Sequence, residues 1–351
     1  MPLKHFVVVA AVSAAAAAFA PAVASAAPAV CTPSYLPIPA TMTGGGTVSV
    51  ADSQGGYAGE GYVNLFGGSR STHILRWQGG QVTDYGYLTG FGDDATPMAV
   101  NRNGVVVGYA YNGSFPRALR SRGTVLEPLA VPADVDSSYA TGINDAGDIV
   151  GYVGRRFQQG IMIYTVNTAV VWPAGAPGTV VALSGLPSTG QAKAVGIDQD
   201  GTVLVEYYPS RTDEFQATAL YLWRAGTARK LTLPSGAKFV AGNTIANGRV
   251  GGYTQTSDIA DTIGVLWDQN GTFLRPVNSA AVNSVNRSGQ SIGYALDDTT
   301  GFYGVWQLGQ QIASLDGALG VYVSADDGSI AGWSRGSETG AKNKPTVWRC
   351  G

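Results

Sequence analysis

The chain has 351 residues, with 22 Lys and Arg against 24 Asp and Glu, a formal net charge of −2 and only 13% charged residues. That balance argues against an electrostatic nucleic-acid or anionic-membrane binder, and 45% hydrophobic residues with so little charge argue against a disordered chain. Two histidines, His5 and His73, are too few for a multi-His zinc or copper site.

Residues 1–26 read as a Sec signal peptide. Lys4 gives a positive start, residues 6–19 are apolar and Ala-rich, and Ala24-Ser25-Ala26 is a small-residue cleavage site. The apolar run falls short of the roughly 20 residues that a bilayer-spanning helix needs. Val30 before Cys31 is not the small residue of a lipobox. A secreted, extracellular or periplasmic location is expected, with no membrane span, no nucleic-acid partner and a monomeric state.

Residues 27–351 carry one short phrase seven times: a small apolar pair, Asn or Asp, Gly, then Gly-aromatic. It reads AVNRNGVVVGY from Ala99, TGINDAGDIVGY from Thr141 and SVNRSGQSIGY from Ser284, with looser copies from Ser49, Ala194, Ile245 and Val323. The turn glycines Gly55, Gly104, Gly147, Gly201, Gly248, Gly289 and Gly328 mark units of roughly 40–50 residues, a length typical of one supersecondary repeat. Within a unit, four apolar or alternating segments of Val, Ile, Tyr and Trp are bounded by Gly and Asn, which predicts strands. In the third unit they are residues 140–144, 148–153, 168–172 and 179–183. The expected fold is all-β, a single seven-bladed β-propeller of four-stranded blades.

The Asx-x-x-Gly is hairpin chemistry: the Asx side chain bonds a backbone N–H of its own turn and Gly takes the positive φ. The second Gly (108, 151, 252, 293 and 332) permits close approach of a neighbouring strand or blade. The aromatics after it (Tyr109, Tyr152, Tyr253, Tyr294, Trp333) and the Trp ending the third strand (Trp77, Trp172, Trp223, Trp267, Trp306, Trp348) recur at matched positions, which predicts packing between sheets. The last unit stops at its third strand, Thr346-Val347-Trp348, while Ser34-Tyr35-Leu36-Pro37-Ile38 near the start reads as a fourth strand without its first three. The N-terminal strand is therefore expected to complete the last blade and close the ring, removing an exposed edge. Cys31 and Cys350 fall on that joint, and in an exported chain they are expected to form a disulfide.

The run from His73, HILRWQGGQVTDYGYLTGFGDDATPMAVNRNGVVVGYA, resembles the motif of the bacterial extracellular HAF-repeat family. His73, Trp77, Gly80, Asp84, Gly86, Asn101, Gly104 and Gly108 match it, whereas Ile74 and Leu75 replace the family's Ala-Phe, and later units lose both the His and the Asp-x-Gly. The resemblance implies an exported bacterial repeat protein, in a family without an agreed biochemical activity.

No nucleotide-binding motif is present, and a catalytic triad would have to be built on His73 alone. No cofactor is expected. Fragments of calcium loops occur at Asp198-x-Asp200-Gly201, Asp326-Asp327-Gly328 and Asn144-Asp145-x-Gly147-Asp148, but none supplies the six to eight oxygens a complete loop needs. The insertions between second and third strands differ from unit to unit and carry the candidate ligand-binding residues Arg155, Arg156, Tyr207, Tyr208, Arg211, Asp213, Asp297 and Asp298. Loops held on a rigid repeat body are where function concentrates. The expected function is non-catalytic binding of a glycan or protein along that loop rim. The alternative is a polysaccharide hydrolase or lyase acting through Asp213, Glu214, Asp297 or Asp298.

Overall fold

Short alternating segments rich in β-branched and aromatic residues form twenty-eight strands, with no α-helix among the described residues. The computed structural model describes residues 29–111, 115–212, 216–256, 261–276, 278–296, 303–315, 317–335 and 342–350. Residues 1–26, expected from the sequence to be a signal peptide, lie outside them. No helix among the described residues is long and apolar enough to cross a membrane.

Six four-stranded antiparallel meanders follow in chain order. Unit 1 is Gly45–Ala51, Tyr57–Asn64, Arg70–Gln78 and Gln81–Gly86. Unit 2 is Asp94–Val100, Val106–Tyr111, Arg117–Arg122 and Val125–Pro128. Unit 3 is Ser137–Ile143, Ile149–Gln159, Met162–Trp172 and Val181–Ala182. Unit 4 is Gln191–Ile197, Val203–Tyr208, Ala219–Arg224 and Thr227–Lys230. Unit 5 is Phe239–Ala246, Arg249–Gln255, Ile263–Trp267 and Phe273–Leu274. Unit 6 is Ser279–Val285, Gln290–Ala295, Tyr303–Gln307 and Gln310–Leu315.

A seventh unit holds Ala318–Ser324, Ile330–Arg335 and Asn343–Cys350, and its fourth strand is the N-terminal Ala29–Tyr35, antiparallel to Asn343–Cys350. Cys31 sits opposite Cys350 in that register and the two form a disulfide. The strand ends earlier than residue 38. Leu36 makes one last bond to the Pro345 carbonyl, and Pro37 and Pro39 have no N–H with which to continue the ladder. In unit 3 the fourth strand is likewise shorter than expected, at Val181–Ala182.

The first strands of consecutive units touch one another, and that of unit 7 touches that of unit 1. Short parallel bridges also join units 6, 7, 1 and 2 into one continuous sheet, while units 3, 4 and 5 remain separate sheets. The apolar residues do not form one core. They gather between successive units, with clusters between units 1 and 2, 2 and 3, 3 and 4, 4 and 5, 6 and 7, and 7 and 1.

The recurring Trp supplies much of this packing. Trp77, Trp172, Trp267, Trp306 and Trp348 are all buried, and each indole removes on the order of 200 Å² from water, worth roughly 5 kcal/mol before entropy. The ring N–H of Trp77, Trp172, Trp223 and Trp267 donates to Pro37, Ala130, Ser184 and Thr232, in the segment that leaves the preceding unit.

Turn chemistry appears as expected and does more. All seven marker glycines have positive φ, between 73° and 94°. Asn101 Oδ1 accepts from Val105 N, Asn144 Oδ1 from Asp148 N and Asn286 Oδ1 from Gln290 N. The second glycine is demanded by its own unit. A Cβ on Gly108, Gly151, Gly252, Gly293 or Gly332 would lie 1.8–1.9 Å from a carbonyl oxygen of the first strand.

Candidate binding site

Those same first strands share an irregularity that composition does not announce. All seven carry a register shift at the matched place, Val48/Val50, Pro97/Ala99, Ala140/Gly142, Ala194/Gly196, Gly242/Thr244, Val282/Ser284 and Val321/Val323, and units 6 and 7 add a second near the strand start, at Ser279/Ala281 and Ala318/Gly320. A bulge re-aims one residue, and the seven residues skipped at the matched place, Ser49, Met98, Thr141, Val195, Asn243, Asn283 and Tyr322, all line one central cavity of about 560 Å³. Three of them hold the next unit: Thr141 Oγ1 donates to Ala194 O, Asn243 Nδ2 to Val282 O and Asn283 Nδ2 to Val321 O.

The turn end of this cavity is crossed by charge. Arg287 of unit 6 lies 3.1 Å from Asp326 of unit 7 and 3.9 Å from Asp145 of unit 3, which also pairs with Arg102 at 3.8 Å. The carboxylates that resembled calcium loops are engaged here. Asp198 accepts from Gly248 N and Gln199 N, Asp200 from Thr202 N and Arg224, and Asp327 from Ser329 N. Among the described residues no group of three or more His, Cys, Asp or Glu is placed to hold a metal.

Toward the other end the second strands present a matched position. It holds Tyr109, Tyr152, Tyr253, Tyr294 and Trp333 in five units but Glu60 and Glu206 in units 1 and 4. Unlike the third-strand tryptophans, these aromatics are not buried in the packing between sheets. They are half-buried, and Tyr294 and Tyr322, both on the cavity wall, are 43% and 45% exposed. Their rings adjoin: Tyr109 meets Tyr139 at 5.0 Å, Tyr139 stacks on Tyr152 at 4.6 Å, and Tyr294 lies 5.0 Å from Tyr303. Lys193 Nζ sits 5.5 Å from the Tyr152 ring and 5.0 Å from that of Tyr208, and Trp333 Nε1 donates to Tyr322 Oη at 3.2 Å. Burial pushes the Glu206 carboxyl above the usual carboxylate range, against hydrogen bonds from Tyr208 Oη and Gly242 N and the charge of Lys193. Burial, then the nearby Glu206, raises the Tyr253 phenol. The result is a polar aromatic surface with donors, acceptors and few free charges.

The loop candidates meet different fates. Arg155 and Arg211 come together with Phe157 on a groove of about 270 Å³ beside the long unit 3 hairpin, with Arg211 over the Phe157 ring at 5.6 Å. Arg155 is held by Asp134, while Arg156 is held by Asp136 and covers the Phe115 ring at 4.4 Å. Backbone and side-chain bonds from Arg156 hold the Asp136 carboxyl below its ordinary range, the backbone bond most strongly. Tyr207 and Tyr208 end the second strand of unit 4 rather than lying in the loop; alternation sends them to opposite faces of the sheet, where both are buried and bonded to Thr189 and Glu206 respectively. Asp213, Asp297 and Asp298, with Glu214, lie outside the described residues.

Sequence reasoning missed the central cavity, whose polar girdle comes from bulges. Its only trace was the phrase itself, where residues just before each Asx vary from unit to unit. His73 pairs with Asp84 at 3.0 Å, and Asp84 also accepts from Gly86 N, which explains why later units lose the His and the Asp-x-Gly together. Compared with known proteins, the chain matches no family model, and no curated sequence aligns with it significantly.

Proposed function

We propose that residues 27–351 are a seven-bladed β-propeller, exported from a bacterial cell, that binds glycan without catalysis at the open end of its central cavity. The cycle of first-strand contacts and the N-terminal strand bonded into the seventh unit support the propeller reading. The signal-like residues 1–26 and the resemblance of the run from His73 to the HAF-repeat motif support the reading of an exported bacterial protein. The observation that carries binding is the set of half-exposed aromatics, Tyr294 and Tyr322 on the cavity wall and Tyr109, Tyr139 and Tyr152 in contact beside it. Sugar rings present C–H faces that stack on aromatic rings and hydroxyls that pair with Tyr, Asn and Thr, and such a site needs no strong charge.

Calorimetric titration with a panel of oligosaccharides tests this. Binding is expected for at least one, weakened about fivefold or more by Tyr152→Ala and by Tyr294→Ala, each removing roughly 1 kcal/mol of ring contact. No binding across the panel, or binding untouched by both substitutions, overturns it. One observation favours a protein partner instead: the unit 3 hairpin ends in Ile161, Met162 and Ile163, which are 95%, 53% and 62% exposed. A glycan-negative protein that loses a cell-surface partner on replacing these three with Ser would support that reading.

A further inference from the structure

The repeats disagree most sharply at one place between units 1 and 2. In the shared register, the third-strand residue opposite Val150, Leu204, Gly251, Ile292 and Ala331 is Val171, Leu222, Leu266, Val305 and Val347. Opposite Ala58 and Val107 it is Arg76 and Arg120. The next residue is Trp in six units but Ser121 in unit 2. Where another unit would place an indole against its predecessor, unit 2 leaves a polar pocket of about 390 Å³, lined by Arg76, Arg120, Arg122, Ser121, Tyr85 and Gly104.

We infer that this pocket is an oxyanion site, for a sulfate or phosphate group or a uronate carboxylate. Three guanidinium groups face it with two carboxylates nearby. Glu127 is shared by Arg120 at 2.6 Å and Arg122 at 3.7 Å, and Asp52 lies 3.7 Å from Arg76 Nη2. One positive charge is left over. Arg76 Nε and Nη2 are buried with no hydrogen-bond acceptor, and Asp52 Oδ2, also unbonded, stands too far from Nη2 at 3.7 Å to supply one, so the guanidinium keeps unmet donors that an arriving acceptor would satisfy. The Arg76 group lies flat over Gly104, where a Cβ would come within 2.5 Å of its Cζ, so the turn glycine of unit 2 also makes room for it. A planar fork of donors suits a multi-oxygen anion. The pocket stands apart from the central cavity, and its occupancy is independent of the glycan reading.

Sodium sulfate, sodium phosphate and sodium glucuronate are titrated separately by calorimetry, with sodium chloride at matched ionic strength as the control. At least one is expected to bind where chloride does not, and the preferred arm tells an inorganic or ester oxyanion from a uronate. Arg122→Gln, an exposed change that leaves the core alone, is expected to weaken binding about tenfold, as for loss of one charged hydrogen bond. Glu127→Gln is expected to tighten it by removing the competing carboxylate. Ser121→Trp, which restores the repeat, is expected to abolish it. No binding beyond chloride in any arm, or equal binding by the wild type, Arg122→Gln and Glu127→Gln, overturns the proposal.

Discussion

The side-chain amide of Asn101 donates to the backbone carbonyl of Asn144 at 3.1 Å, joining the turn of unit 2 to that of unit 3. The same Asn closes its own turn through Oδ1, so one residue serves both the hairpin and the contact between units. Asn286 repeats the arrangement, with Nδ2 on Ala325 O at 2.8 Å.

Asn101→Ala is expected to cost about 2–3 kcal/mol, because it leaves a buried donor and a buried acceptor without partners. Asn101→Asp is the sharper variant. It keeps the turn acceptor but cannot donate across the units, so urea denaturation is expected to show a loss close to that of Ala. A neutral Asp variant would mean that the turn bond alone matters.

The two classes of glycine differ in what they forbid. Gly151→Ala would bring a Cβ to 1.8 Å from Tyr139 O, and a loss above about 3 kcal/mol, or failure to fold, is expected. Gly201 has φ +86° and open space around it, so Gly201→Ala pays only for left-handed backbone, about 1 kcal/mol. Denaturation midpoints of the two variants check the order, and equal losses would contradict it.

The Cys31–Cys350 disulfide ties the N-terminal strand to the last unit. Its removal by Cys350→Ser is expected to lower stability by roughly 2–5 kcal/mol through the freer unfolded chain. Thermal unfolding of the wild type with and without reductant is expected to show the same shift, and reductant is expected to leave the variant unchanged.

Glu206 predicts a pH dependence of definite sign. Its folded pKa is raised by burial, so between the ordinary carboxylate value and that raised value the native state holds more protons than the unfolded chain. Its contribution is complete below the unfolded pKa and is lost as pH rises through the folded one. Glu206→Gln keeps an acceptor for Gly242 N and turns an amide N–H toward Tyr208 Oη, whose oxygen can accept it, without the buried charge. The stability of this variant relative to wild type is expected to rise as pH increases above the ordinary carboxylate value of about 4.3, as followed by melting temperature.

Much of the construction was legible because it is local. An Asx bonding into its own turn, a Gly at positive φ and an apolar alternation are decided within a few residues, and seven copies reinforced each other. The pairing of Cys31 with Cys350 followed from a missing strand at one end and a spare strand at the other. The two recurring aromatic sets could not be told apart, since Trp172 and Tyr152 both repeat at matched positions. The indole reaches a carbonyl of the preceding unit at Ala130, whereas Tyr152 stays half-exposed among Tyr139 and Lys193.

The sequence by itself determined the strands, the turns, their seven-fold recurrence and the disulfide, all consequences of short-range sterics and hydrogen bonding. Only the tertiary structure decided where the repeats look outward. A bulge moves one side chain from the sheet face to the cavity without any residue type that marks it, as Ser49, Met98 and Val195 show. Nor does a lone Ser121 reveal a pocket until a neighbouring unit brings Arg76 across the gap that an indole would have filled.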